Sequence, residues 1–243
     1  MKVVAFIPAR LQSERFPRKL LQDLNGKPVV LHTYQNAVAS GLFDEVILIT
    51  DSEEIANVIS QAGGKVFIST RAHQTGTDRI AEFASETDAE IIVNIQADEP
   101  FVHKESLGEL IRIFEEDIDR QADIASLMTR IKDETDFYDP NQVKVVTDAR
   151  GFALYFSRAP IPYPRDGKFA GAWKHIGIYG FRREALIQIA RLPQSALEQI
   201  EKLENLRFLE AGFRIKMKET RAMNIGIDTP EDLIKARKLL ADE

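Results

Sequence analysis

Through the first half of the chain, short apolar runs alternate with longer segments whose apolar residues recur every three or four positions. VVAFI (3–7), EVILIT (45–50), KVFIS (65–69) and EIIVNI (90–95) are rich in Val and Ile and predict buried strands. The intervening periodicity predicts helices near 28–41, 52–62, 77–86 and 104–117. Pro28 suits the opening of the first, and Thr50-Asp51-Ser52 offers an N-cap to the second. This βαβα order predicts an α/β fold with a mostly parallel sheet flanked by helices. Ligands of such sheets gather at the carboxyl ends of the strands, which directs attention to the loops after residues 7, 50, 69 and 95.

Beyond about residue 120 the pattern changes. DIASLMTRI, VKVVTD, FALYFS and HIGIYGF are strand-like runs separated by turns, and predict a smaller antiparallel or mixed part. PIPYPRDGKFAGAW (160–173) predicts an irregular or mobile loop. Helices are expected at about 183–191 and 196–211, then a strand in RIKMKET. In IGIDTPEDLIKARKLL, Thr229 and Pro230 predict the N-cap and first position of a terminal helix. There is no internal repeat, and no linker divides the 243 residues.

Composition narrows the function. The chain is 44% hydrophobic, enough for a sizeable core. Its formal net charge of -6 argues against bulk nucleic-acid binding, so its cations must act locally. The absence of cysteine excludes disulfides, thiolate zinc sites and thiol catalysis, and fits a reducing compartment. The first apolar run is too short for a signal peptide and no stretch is long enough to span a bilayer, so a soluble cytoplasmic protein without membrane partners is expected.

FIPARLQSERFPRKLL (6–21) follows the first strand and carries Arg10, Arg15, Arg18 and Lys19. With backbone amides these could surround a triphosphate and neutralise a leaving pyrophosphate. The spacing alone fits a solvated basic loop equally well, and neither common phosphate fingerprint is present. NIQADEP places Asp98 just past a strand, and IGIDTPEDL places Asp228 ahead of a helix. Mg2+ binds through one or two carboxylates with phosphate oxygens and waters, which this pair could supply; Asp228 also suits a turn or cap. HQTGTDRIAE (73–82) predicts a helix beginning near Thr77, with Thr77 as its cap.

Several blocks together resemble one family. PARLQSERFPRKLL…NGKPVVLHTY, QTGTDRIAE, NIQADEPF, VKVVTDARGFALYFSRAPIPY, KHIGIYGFRREAL, LEQIEKLENLRFLEAGFRIKM and GIDTPEDL resemble the cytidylyltransferases that activate 3-deoxy-manno-octulosonate (Kdo). The resemblance implies a Rossmann-like nucleotide-diphospho-sugar transferase fold and a homodimer. It implies one nucleotidyltransferase domain over 1–243, with 1–120 and 212–243 mainly binding nucleotide and 121–211 mainly binding sugar and dimerising. The implied substrates are CTP and an acidic 3-deoxy-octulosonate sugar, and the implied cofactor is Mg2+ on Asp98 and Asp228.

The family pattern implies that Arg10, Arg15 and Lys19 hold the triphosphate and, with Asp98, form the catalytic set. Pro8, Ala9, Arg71, Gly76, Thr77 and Gln96 complete the nucleotide site. Arg158, His175, Tyr179, Glu198 and Gln199 become contacts to the sugar. On residues alone, a satisfied core histidine and a solvated helix face explain His175, Glu198, Gln199 and Glu204 as well. Glu99 reads as a supporting residue and Arg18, outside the motif, as a surface charge. Ala97 stands where the family more often has Gly, and Asn205 where it more often has Gln, which leaves the 8-amino analogue of the sugar open. A catalytically silent nucleotide-binding protein is the alternative of another class. A dehydrogenase is disfavoured by the missing glycine fingerprint.

Overall fold

Val3–Ala9 (β1) is buried along almost its whole length, as expected of a strand covered on both faces. The computed structural model describes every residue except 14–15, 72, 74, 222–225 and 242–243. The chain forms two compact units, residues 1–107 with 222–243, and residues 108–221.

In the first unit, β1 pairs in parallel with Glu45–Thr50 (β4) and with Ile91–Asn94 (β6), and β4 pairs with Lys65–Ile68 (β5). Asp23–Leu24 (β2) and Lys27–Pro28 (β3) form a two-stranded ribbon. Its turn, Asn25-Gly26, has positive φ at both residues, as a tight hairpin requires. Val29–Ala39 (α1), Glu53–Gln61 (α2) and Gly76–Ala84 (α3) connect the strands. Pro28 precedes α1 in extended conformation rather than lying inside it. Ser52 caps α2 as predicted, accepting from Ile55 N–H. The cap of α3 is Thr75, which accepts from Asp78 N–H, so the expected Thr77 cap is corrected: Thr77 is buried within the helix. The last helix, Pro230–Ala241, starts as predicted, with Thr229 and Asp232 bonding each other's backbone N–H groups. Leu233 and Ala236 pack with Leu24, Val29 and Ile227.

Lys104–Glu116 (α4) carries the chain into the second unit. There Ile124–Ile131 (β7) pairs in parallel with Ile215–Glu219 (β11) and antiparallel with Ala172–Arg182 (β10). Lys144–Thr147 (β8) and Ala153–Ser157 (β9) extend the antiparallel side, and a Phe152–Lys216 bridge links back to the segment of β11. Glu134–Tyr138 (α5) and Arg183–Ile189 (α6) are short helices. The expected helix over 196–211 is two, Ala196–Glu201 (α7) and Glu204–Glu210 (α8). Lys202 between them is left-handed. The Glu201 carboxylate takes the Ser157 hydroxyl (2.6 Å) and Arg158 N–H (2.9 Å), fixing the end of α7 where periodicity alone continues it. Among the described residues, no helix is long and apolar enough to cross a membrane.

Candidate active site

The carboxyl ends of β1 and β6 and the start of α3 enclose a cavity of about 220 Å³. Pro8, Ala9, Arg10, Lys19, Gly76, Gln96 and Asp98 all line it. Of the remaining nucleotide candidates, Thr77 is buried inside α3, and Arg71 is largely exposed, its Nε 3.8 Å from Glu82 Oε1. Arg15 lies outside the described residues. Arg18 pairs with Glu54 at the exposed surface, as its exclusion from the motif implies.

Lys19 begins a short 3-10 turn that aims its side chain at two carboxylates. Its ammonium contacts Asp98 and lies 2.9 Å from Asp228 Oδ1. Asp98 leaves the end of β6, and Asp228 precedes the terminal helix. Ile227 N–H donates to the Asp98 carbonyl (2.9 Å), tying the two loops together. Burial works against the charged lysine, but Asp98 and then Asp228 outweigh it and hold the ammonium above its ordinary pKa. Beside them, the buried Glu99 Oε2 has no hydrogen-bond partner among the described residues. Its burial, then the charges of Asp98 and Asp228, push its carboxyl up to about 8. Ala97 is buried, and its carbonyl accepts from the Thr33 hydroxyl (2.9 Å).

Two carboxylates that share one ammonium define a point where a small cation can be held. Mg2+ accepts that donor set, drawing its remaining ligands from phosphate oxygens and water, so the residues fit the expected ion. Among the described residues there is no cluster of three or more His, Cys, Asp or Glu suited to a metal.

In the second unit, His175 and Tyr179 lie on one face of β10, their rings 5.4 Å apart. His175 Nε2 is 3.0 Å from the Ser126 hydroxyl. Burial, with the nearby Lys174 charge, pushes the imidazole pKa down to about 3. Burial likewise raises that of Tyr179, against a hydrogen bond with Asn205. Asn205 is itself buried, and its Oδ1 has no hydrogen-bond partner among the described residues. The charged groups of Arg158 and Glu198 have other partners. Arg158 donates through Nε to the Glu201 carbonyl (2.8 Å) and through Nη1 to the Pro140 carbonyl (3.0 Å). Glu198 closes a capping box with Ser195 and faces Arg207 Nε at 3.4 Å, buried rather than solvated. Gln199 is exposed.

A cytidylyltransferase family profile matches residues 4–225. The 3-deoxy-manno-octulosonate cytidylyltransferase of Christiangramia forsetii is 52% identical over 241 residues, covering 99% of this chain and 97% of that protein. That of Flavobacterium johnsoniae is 52% identical over 244 residues, covering all of both. The chain belongs to the 3-deoxy-manno-octulosonate cytidylyltransferase family. A CMP:2-keto-3-deoxy-manno-octonic acid synthetase solved with CTP is 39% identical and superposes with a TM-score of 0.94, covering 100% of this chain and 99% of that one. A 4-diphosphocytidyl-2C-methyl-D-erythritol synthase from Anaerococcus prevotii, 18% identical at a TM-score of 0.66, shares the fold; the match covers 99% of this chain and 98% of that one. The expected Rossmann-like nucleotidyltransferase fold is therefore the one present.

Sequence reasoning missed several residues that line the cavity, and two of them, Arg79 and His73, carry ionisable groups. Arg79, on the buried face of α3, donates to the Ala9 carbonyl and to Asp51 Oδ2, both at 2.8 Å. It fixes the backbone of the loop that follows β1, and its hydrogen bond holds the Asp51 carboxyl below its usual range. The available signal was a cation beside Ile80 and Phe83 on an otherwise apolar helix face. The second is His73, whose partners are Ser69 and Glu82. No local pattern pairs those three residues.

Proposed function

We propose that the protein transfers CMP from CTP to 3-deoxy-D-manno-octulosonate, giving CMP-Kdo and pyrophosphate for lipopolysaccharide biosynthesis. The carrying observation is the Lys19 ammonium held jointly by Asp98 and Asp228 beside a strand-end cavity, in a chain 52% identical to two Kdo cytidylyltransferases. The anomeric hydroxyl of the sugar attacks the α-phosphorus in line, and the bond to pyrophosphate breaks. Arg10, Arg15 and Lys19 hold the triphosphate and neutralise charge as it moves to the leaving group. Pro8, Ala9, Arg71, Gly76, Thr77 and Gln96 bind the nucleoside part. Asp98 and Asp228 hold Mg2+, which when bound supplies charge neutralisation at phosphate oxygens and acidifies the attacking hydroxyl.

His175 and Tyr179 are the acceptor-sugar contacts that the geometry supports best, because they share one face. Gln199 is available from the surface of α7. Arg158 and Glu198 act there by shaping the backbone, since their charged groups are engaged internally. The active form is a homodimer in the cytoplasm. A coupled pyrophosphate assay tests the reading with each of the four nucleoside triphosphates against Kdo, its 8-amino-3,8-dideoxy analogue and sialic acid. Release with CTP and Kdo is expected. Release only with the 8-amino sugar replaces the acceptor, and none with any pairing leaves a silent nucleotide-binding protein.

A further inference from the structure

Ser69, His73 and Glu82 form a compact polar cluster behind one wall of the nucleotide cavity. His73 lines the cavity, and its side chain is 10% exposed. Its Nε2 lies 2.8 Å from Glu82 Oε2 and 3.0 Å from Ser69 Oγ. The Ser69 hydroxyl donates to the same Glu82 oxygen at 2.6 Å. That carboxylate is the acceptor of the cluster. Burial alone would favour its neutral form, but the bonds from Ser69 and His73 hold its pKa below the usual range.

This arrangement fixes the imidazole tautomer. An ionised carboxylate facing Nε2 requires the proton there, so the neutral ring carries its lone pair on Nδ1. Nδ1 has no hydrogen-bond partner among the described residues. A bare acceptor on a residue that lines the cavity is unfavourable to phosphate oxygens and pairs only with an N–H or O–H donor. In a nucleotide those donors are the exocyclic amine of the base and the ribose hydroxyls. We infer that His73 Nδ1 accepts a hydrogen bond from a nucleoside donor, with Glu82 and Ser69 as positioning residues that hold its tautomer. His73 is thus a specificity residue for the nucleoside, distinct from the cations that take the triphosphate. The inference rests on the CTP-dependent reading above.

Two atom-selective variants test it. His73→Gln reaches the Nε2 position and keeps the Glu82 contact but loses the Nδ1 acceptor. His73→Asn places an amide oxygen near Nδ1. The measurement is equilibrium binding of CTP, UTP and dCTP, together with KM and kcat for CTP. His73→Gln is expected to raise the Kd and KM for CTP about tenfold, the loss of one hydrogen bond, with kcat within about threefold of the parent. His73→Asn should recover most of that affinity, and thermal midpoints should match the parent. If the donor is the amine, His73→Gln erodes the preference for CTP over UTP; if it is a ribose hydroxyl, the preference over dCTP erodes instead. Glu82→Gln, which frees the tautomer, should weaken the same preference. Parent-like CTP binding by His73→Gln overturns the inference, as does equal damage from Gln and Asn. A parent that binds all three nucleotides equally also overturns it, without any variant. Tight CTP binding without CMP transfer to any acceptor would sink the reading above while leaving this one standing.

Discussion

Lys19 and Lys144 are both largely withdrawn from water, yet they are held in opposite ways. Lys19, in the first unit, sits at a cavity wall between two carboxylates, which keep its proton on more tightly than usual. Lys144, in the second, is fully buried and donates to the carbonyls of Asp139 (3.0 Å) and Arg158 (2.6 Å). Burial lowers its pKa. A cation held by charges beside a cavity can be exchanged for a metal ion or turned toward phosphate. A cation closed in by backbone carbonyls can only hold the backbone where it is. The same division runs through the neighbours: Asp98 and Gln96 face the cavity, whereas Arg158 and Glu198 are engaged by their own surroundings.

The hardest way to break this comparison is to remove the charge at Asp98. Asp98→Asn keeps the shape but deprives both Lys19 and a bound cation of a formal partner. Turnover is expected to fall about a thousandfold, in the range seen when preorganised charge at a transition state is lost. The thermal midpoint should stay within about 3 °C of the parent, since the backbone bond from Ile227 is untouched. Near-normal magnesium-dependent pyrophosphate release would remove Asp98 from the proposed metal site.

Lys144→Met applies the matching change to the second unit. Methionine fills similar volume but leaves two carbonyls without their donor, at about 1–3 kcal/mol. For a protein of this size that lowers the midpoint by roughly 5 °C. Equilibrium CTP binding should be unchanged within about twofold, because the loss is structural. A stable variant with impaired CTP binding would put Lys144 among the nucleotide ligands and erase the contrast.

Acid sharpens the contrast further. The His175 pKa of about 3 lies below the value near 6.5 expected in the unfolded chain. Between those values the unfolded state binds a proton that the folded state refuses, so stability falls as pH drops through 6.5. The slope is at most about 1.4 kcal/mol per pH unit, and the contribution is fully present above pH 6.5. Denaturant midpoints from pH 7 to 5 should therefore fall less steeply in His175→Phe than in the parent. Parallel pH profiles would show that the ring is protonated in the native state.

The first half of the fold was legible because parallel strands bury both faces and leave unbroken Val and Ile runs, and because Ser52 and Thr229 announce their helices. Asp98 and Asp228 were legible as strand-end and helix-start carboxylates. Their meeting on Lys19, 79 and 209 residues away, was not, since no local pattern encodes a contact of that range. The left-handed Lys202 was hidden for the same reason, its cause being Glu201 bound to the end of β9. Arg158 was legible as a cation in a specific motif, but its bonds to the carbonyls of Glu201 and Pro140, 43 and 18 residues away, were not.

Arg18 gives the smallest effect and the cleanest control on the opening loop. It neighbours Lys19 in sequence, but its guanidinium turns to Glu54 and both side chains are more than half exposed. Exposed pairs contribute little, because water and salt screen them and two long side chains must be ordered. Its left-handed backbone is set by the turn and survives truncation to Ala, which carries the same Cβ. Arg18→Ala should therefore leave KM for CTP and kcat within about twofold of the parent at 0.15 M salt, whereas Lys19→Ala should lower kcat/KM by about a hundredfold or more. If the two substitutions weaken CTP use equally, the loop acts as a diffuse basic patch, and the distinction between an aimed lysine and a solvated arginine fails.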